Sequence, residues 1–130
     1  MKTSFVIVVY HAPYGHESAY HALRFAETVL AMGHRIEQVF FYQDGTLHGN
    51  QLNHPPTVEI NLQQRWQALQ QQAGFPLHSC ISAAIKRGVV SIEDQHDCAL
   101  PTHNLATGFT NVGLPALMQA MSNAQRVVEF

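Results

Sequence analysis

The stretch SFVIVVY, residues 4–10, is an almost unbroken run of β-branched and aromatic residues. Such a run is typical of a strand buried on both faces, as in a parallel sheet. Pro13 and Gly15 interrupt the chain after it. The spacing of apolar residues then predicts a helix over residues 18–32, which Gly33 ends.

Strands and helices continue to alternate along the chain. The pattern predicts a second strand over 36–42, a helix over 62–73 that buries Trp66 and Leu69, and a third strand ending at Cys80. The polar residues 46–57, with no clear period, are expected to form a long surface loop. After Cys80, we expect a helix over 81–87 that Gly88 stops, and then a short strand over 88–91. An irregular segment is expected over 94–107. The chain should end with a helix over 113–121, which has Met118 and Met121 in the core, and a strand over 126–130.

This alternation predicts the fold class. Right-handed crossovers between successive strands give an α/β protein with three α/β/α layers around a mainly parallel sheet. The length favours a single domain over residues 1–130. Sites in such folds lie beyond the carboxyl ends of the strands. The loop at 11–15, the turn at Asp44 and Gly45, and Cys80 all fall on that edge.

Composition excludes several classes of protein. An apolar content of 46% with 12% charged residues is typical of a compact globular chain and argues against disorder. The net charge is -2 and there is no block of Lys or Arg, so tight direct binding to nucleic acid is not indicated. The first apolar run is too short for a membrane span or a signal peptide. Two cysteines make no disulfide framework, and we expect a cytoplasmic location.

Cys80 is the candidate catalytic residue, because it stands where a strand meets the start of a helix. Unpaired backbone N–H groups and the helix dipole favour the thiolate there, and thiolate is the nucleophilic form. We therefore expect an accessible, ionisable thiol; the alternative is a small buried apolar residue. His78 lies two residues earlier, on the same side of the strand, and could serve as a base or pack within the strand. Cys98, in a polar segment, is interpreted as incidental.

Other chemistries find little support in the sequence. The nine histidines are not spaced as metal ligands, so no metal site is predicted. Dinucleotide, P-loop and G-x-S-x-G motifs are missing. A hydrolase that uses Cys80 with a histidine and an aspartate stays open, since such partners meet in space and not in sequence.

Several blocks of the chain resemble the sulfur-relay subunits of the TusD/DsrE family, in one register over essentially the whole length. The block around Cys80 is the most diagnostic of the cysteine-bearing subunits. The matching residues are Pro13-Tyr14-Gly15, Gly33-His34, Val39-Phe40-Phe41-Tyr42, Asp44-Gly45, Asn50-Gln51-Leu52, Cys80, Ala83-Ala84, Arg87-Gly88-Val89-Val90, Asn104-Leu105, Gly108-Phe109-Thr110, Gly113-Leu114, Arg126-Val127-Val128 and Phe130.

The resemblance implies a DsrE-like fold of flavodoxin-like topology and a persulfide carried on Cys80, with no metal or organic cofactor. It also implies a heterohexamer with two related small subunits (TusB/DsrH-like and TusC/DsrF-like), a TusA-like sulfur donor and a TusE/DsrC-like acceptor. The sulfur would end in 2-thiouridine at the wobble base of tRNA, or serve sulfur oxidation in the DsrE version. A non-catalytic scaffold paralogue is the further alternative. Trp66, Phe109 and residues 46–57 are plausible contact points for partners.

Overall fold

Five strands form one central sheet in the computed structural model, which describes residues 2–130. The strands are β1 (Ser4–Val9), β2 (Arg35–Phe41), β3 (Leu77–Cys80), β4 (Phe109–Val112) and β5 (Arg126–Glu129). The helices are α1 (Ser18–Ala31), α2 (Leu62–Ala73), α3 (Ile81–Lys86), α4 (Ile92–Asp97) and α5 (Leu114–Asn123), with a 3-10 helix over Gln43–Gly49. Within the described residues, no helix has the length and apolar character needed to cross a bilayer.

All neighbouring strands are parallel, in the order β4-β3-β2-β1-β5. From β1 to β4 the chain steps one strand at a time in the same direction, so right-handed crossovers place α1, α2 and α4 on one face. The return from β4 to β5 runs the opposite way and carries α5 across the other face. The predicted three-layer parallel α/β fold is confirmed. The topology differs from the flavodoxin order, because β1 lies between β2 and β5 and not between β2 and β3.

The main core lies between the sheet and the helices α1 and α2. Apolar residues of α1 recur at helical spacing and pack on alternate residues of the central strands, which point to that face. Trp66 and Leu69 face inward from α2, as predicted. The buried members of this core include Ile7, Val9, Ala22, Leu23, Ala26, Val39, Phe41, Leu77 and Phe109.

The opposite face of the sheet has a much smaller core. It comprises Phe40, Cys80 and Ala83, with Tyr42, Val112 and Leu117 packed against them. The covering helix α5 has no buried residue of its own. Met118 is 68% exposed and Met121 is also exposed, so the prediction that they belong to the core is wrong. Helical spacing shows only that residues share a face of a helix. It does not show whether that face packs on the sheet or points to solvent, and in α5 the face with the two methionines points to solvent.

The segment between α3 and β4 departs most from the sequence prediction. Residues 88–91 form no strand; Val89 and Val90 are buried in a loop, where the Val89 amide donates to the Ala84 carbonyl at 2.8 Å. The region predicted to be irregular contains α4, which starts with a capping box between Ser91 and Asp94. This is a serine followed three residues later by an acidic residue, a start signal that the sequence does contain. The sequence pattern predicts no strand at Phe109–Val112, where the structure has β4.

The expected contact points of the chain are largely interior. Trp66 is fully buried and Phe109 nearly so. Residues 46–57 are not simply a surface loop, because Thr46, His48 and Gly49 are buried in the 3-10 helix. The prediction of a contact surface is therefore wrong for Trp66, for Phe109 and for the buried residues of the segment 46–57. The exposed residues of that segment begin after residue 50.

Candidate functional site

Cys80 is the last residue of β3 and the N-cap of α3, with extended backbone angles (φ −62°, ψ 117°). Its strand is paired on both sides, with β2 and with β4, so the thiol is held at the carboxyl edge of the sheet by rigid elements. The predicted position at a junction of strand and helix is confirmed. Backbone N–H groups of the first turn of α3 lie beside it and have no partner within the helix.

The thiol is covered in the isolated chain. Cys80 is only 3% exposed, so the expectation of an accessible side chain is wrong for this chain by itself. Its Sγ lies 3.5 Å from the hydroxyl oxygen of Ser82, within hydrogen-bonding distance. Cys80 forms an apolar cluster with Phe40 and Ala83, and the side chains of Tyr42, Val112 and Leu117 pack against this cluster.

His78 shares the sheet face of Cys80 but does not serve it as a base. Its Nδ1 accepts a hydrogen bond from the buried amide of Gln38 on the neighbouring strand. Burial lowers the pKa of His78, so the ring is neutral at pH 7. Among residues 2–130 no histidine hydrogen bonds to Cys80, and the alternative of a cysteine hydrolase is left without its base.

His48 is the most buried histidine, and sequence reasoning gave it no role. Its ring is fully enclosed and packs against Phe41, and its Nε2 donates to the His11 carbonyl at 3.0 Å. Burial lowers its pKa to about 4, so it is neutral at pH 7 and ties the loop after β1 to the 3-10 helix. Nothing in the sequence distinguishes His48 from the other eight histidines as the buried one.

The Asp44-Gly45 turn joins three elements at the carboxyl edge. The Gly45 amide lies 3.0 Å from the Tyr10 carbonyl and 2.9 Å from the Tyr42 carbonyl, after β1 and β2 respectively. The Asp44 carboxylate accepts a hydrogen bond from Arg87 Nε, at the end of α3, at 2.8 Å. The turn therefore ties the first two strands to the helix that begins at Cys80, and the features expected on this edge do share it.

Cys98 lies away from this arrangement, exposed at the C-terminal end of α4. No group of three or more His, Cys, Asp and Glu side chains in residues 2–130 is arranged to hold a metal ion. The chemistry that the site offers is that of a single thiol next to a hydroxyl, at the start of a helix and under an apolar cover.

The sequence matches one protein family along almost its whole length. The profile of the DsrE/DsrF-like family covers residues 3–130. The chain belongs to the DsrE/DsrF-like family. The YchN protein of E. coli has the same fold, with a TM-score of 0.78, 24% identity and full coverage of both chains.

Curated relatives give the activity of this branch of the family. The chain is 42% identical to the "Sulfurtransferase TusD homolog" of Vibrio cholerae over 127 residues, which covers 98% of this chain and 97% of that protein. It is also 42% identical to the "Sulfurtransferase TusD" of Klebsiella pneumoniae over 126 residues, with 97% and 98% covered. The chain is thus a sulfurtransferase with a role in a sulfur relay.

Proposed function

We propose that this sulfurtransferase carries sulfur as a persulfide on Cys80, between a donor protein and an acceptor protein. The observation that carries the proposal is the position of Cys80 at the carboxyl edge of the sheet, on the N-cap of α3. The relatives' shared activity needs a nucleophilic sulfur, and Cys98 has neither a strand nor a neighbouring apolar cluster to hold it in place. The DsrE/DsrF-like family assignment supports the same role.

The chemistry is two exchanges of a sulfur–sulfur bond. The Cys80 thiolate attacks the outer sulfur of the donor's persulfide; a new S–S bond forms, the donor's S–S bond breaks, and the donor leaves as a thiolate. The product is Cys80-S-SH. An acceptor thiolate then attacks that outer sulfur and releases Cys80 as a thiolate. Neither step needs an oxidant, a metal or an organic cofactor, because each bond broken is replaced by one of the same kind.

Exchange at Cys80 requires its cover to move. The cluster that contains the thiol is packed against Leu117 on α5, a helix without a buried residue, and against the half-buried Tyr42. Elements with few buried contacts open at low free energy, so displacing them costs less than opening the main core. The covered thiol is therefore compatible with transfer, provided that the opening accompanies docking of the donor or acceptor.

We propose tRNA thiolation as the pathway that this transfer serves. The relatives from Vibrio and Klebsiella bear the name TusD, which supports the branch that ends in 2-thiouridine of tRNA over the branch of sulfur oxidation. In that branch a TusA-like protein is the donor and a TusE/DsrC-like protein is the acceptor. A free thiol that cycles through a persulfide fits the reducing cytoplasm.

Mass spectrometry tests the carrier residue directly. After incubation with a persulfidated donor, the intact chain is expected to gain one sulfur atom, roughly 32 Da, that is removed by a reducing agent. Digestion under non-reducing conditions should place this mass on the peptide that contains Cys80. Sulfur found on Cys98, or an unchanged mass after full reaction of the donor, would contradict the proposal.

We also infer that α5 is part of the contact with the two related subunits of a heterohexamer. Leu114, Met118 and Met121 are spaced i, i+4 and i+7, so they form one row on the outer side of α5, and all three are exposed. Val127 on the edge strand β5 is a further exposed apolar residue. An exposed apolar row of this kind is typical of a protein–protein contact.

A charge on this row should weaken the assembly. Met118→Glu is expected to reduce the affinity for the TusB/DsrH-like and TusC/DsrF-like subunits about tenfold, because it places a charge in an apolar contact. The matched control is Met32→Glu, since Met32 is 67% exposed but follows α1, the helix that packs on the other face. Analytical ultracentrifugation of each variant, mixed with the two related subunits, measures its affinity for them. Equal assembly of the two variants would exclude α5 as a contact.

A further inference from the structure

A pocket of about 410 Å³ lies at the carboxyl edge of the sheet, between the end of β2 and the outer side of α3. Sequence reasoning did not identify it, because its residues come from two segments about 40 positions apart. It is lined largely by polar and cationic side chains. The lining residues are Tyr42, Gln43, Ser82, Ala83, Lys86 and Arg87.

Three of these residues also border the Cys80 thiol. Tyr42 and Ala83 belong to the apolar cluster that covers the sulfur, and the Ser82 hydroxyl lies 3.5 Å from Sγ. The pocket and the cluster that contains the thiol therefore share Tyr42 and Ala83.

Lys86 is the unpaired cation of this pocket. The guanidinium of Arg87 already binds the Asp44 carboxylate at 2.8 Å and the Ala83 carbonyl at 3.1 Å. By contrast, no carboxylate of residues 2–130 lies within ion-pair distance of the exposed Lys86. The chain as a whole carries a charge of -2, whereas Lys86 places a positive charge in this pocket that no carboxylate of residues 2–130 pairs with.

We propose that this pocket is the entry port for the sulfur-carrying partner, and that Lys86 binds a carboxylate next to that partner's persulfide. The inference rests on the proposed transfer through Cys80 and names the recognition chemistry of that site. A carboxylate near a sulfane sulfur is offered by an acidic segment of a protein and also by glutathione persulfide. We assign the carboxylate to a donor protein, and transfer kinetics distinguish it from glutathione persulfide.

Alkylation of Cys80 tests the port without any sulfur transfer. The experiment uses the Cys98→Ser variant, so that Cys80 is the only thiol. The measured quantity is the alkylation rate with anionic iodoacetate divided by the rate with neutral iodoacetamide. This ratio cancels differences between variants in the ionisation and the accessibility of the thiol. Lys86→Glu is expected to lower this ratio about fivefold at low salt, and the difference should shrink in high salt. Lys2→Glu is the matched control: Lys2 is the chain's other lysine and lies at the amino edge of the sheet. An unchanged ratio, or a thiol inert to both reagents, would overturn the port.

Transfer kinetics then distinguish the two sources and separate this inference from the carrier proposal. With a persulfidated donor protein, Lys86→Glu is expected to raise KM about fivefold and leave kcat unchanged, since the contact does not change in the transition state. A rise of KM confined to glutathione persulfide would overturn the assignment to a protein. Sulfur that loads on Cys80 with an unchanged ratio and KM rejects the port but keeps the carrier. A changed ratio without any loading rejects the carrier, and with it the port for a sulfur donor, and leaves only a pocket in which Lys86 attracts anions.

Discussion

Replacing Cys80 by serine is expected to abolish sulfur transfer from donor to acceptor, with a loss of about a thousandfold or more down to the background rate. A serine hydroxyl is not ionised at neutral pH and forms no persulfide, so neither exchange step can begin. Radioactive sulfur followed from the donor to the acceptor thiol measures the loss.

Two further variants separate chemistry from folding in this experiment. Cys80→Ala removes the sulfur without placing a hydroxyl in the apolar cluster of Phe40 and Leu117, and it should fold and assemble as the native chain does. Cys98→Ser changes the exposed cysteine and should transfer sulfur at the native rate. Full transfer by Cys80→Ala would assign the chain a scaffold role, as in a non-catalytic paralogue.

Gly45→Ala is expected to lower the free energy of unfolding by about 3 kcal/mol, which reduces the folded-to-unfolded ratio about a hundredfold or more. A Cβ built on Gly45 would lie only 2.0 Å from the Val9 carbonyl oxygen, a backbone atom that cannot rotate away. The turn would have to shift, and the hydrogen bonds from Gly45 to the Tyr10 and Tyr42 carbonyls would shift with it. Urea unfolding followed by circular dichroism measures the change.

Gly113→Ala is the matched control for this substitution. Gly113 has an ordinary φ of −81°, and the nearest atom to its added Cβ is Pro115 Cδ at 3.3 Å, a side-chain atom. We expect a cost below about 1 kcal/mol there. If the two alanine variants unfold at the same urea concentration, close packing of Gly45 against β1 is not a requirement of the fold.

The sequence predicts most of the fold because its strands and helices differ clearly in apolar period. The run at 4–10 and the helical spacing of α1 and α2 lead directly to β1, α1 and α2 with ends correct within one residue. Parallel pairing then follows from the lengths of the connections. The strand order does not, since β5 could pair with either edge of the sheet, and its return to β1 is decided by long-range packing.

The errors share a physical origin. Burial in a loop is invisible to periodicity, so Val89 and Val90 were assigned to a strand and His48 to the surface. Conversely, Met118 and Met121 have the spacing of a core helix but face outward, because spacing says nothing about which face a neighbour covers. For the site, the sequence places Cys80 correctly at its junction, whereas its cover and the pocket at Lys86 depend on residues distant in sequence.

The chain enters its sheet at one rim and leaves it at the opposite one. Thr3 accepts a hydrogen bond from the Arg35 amide, where β1 and β2 begin, whereas Phe130 exchanges hydrogen bonds with Val8 and Tyr10, where β1 ends. A purification tag fused after Phe130 would emerge at the same edge of the sheet as Cys80, where the proposed transfer requires the donor and acceptor proteins to dock. A tag fused ahead of Thr3 would lie at the opposite edge of the sheet, away from Cys80. It is therefore the better choice for pull-down or surface-immobilised measurements.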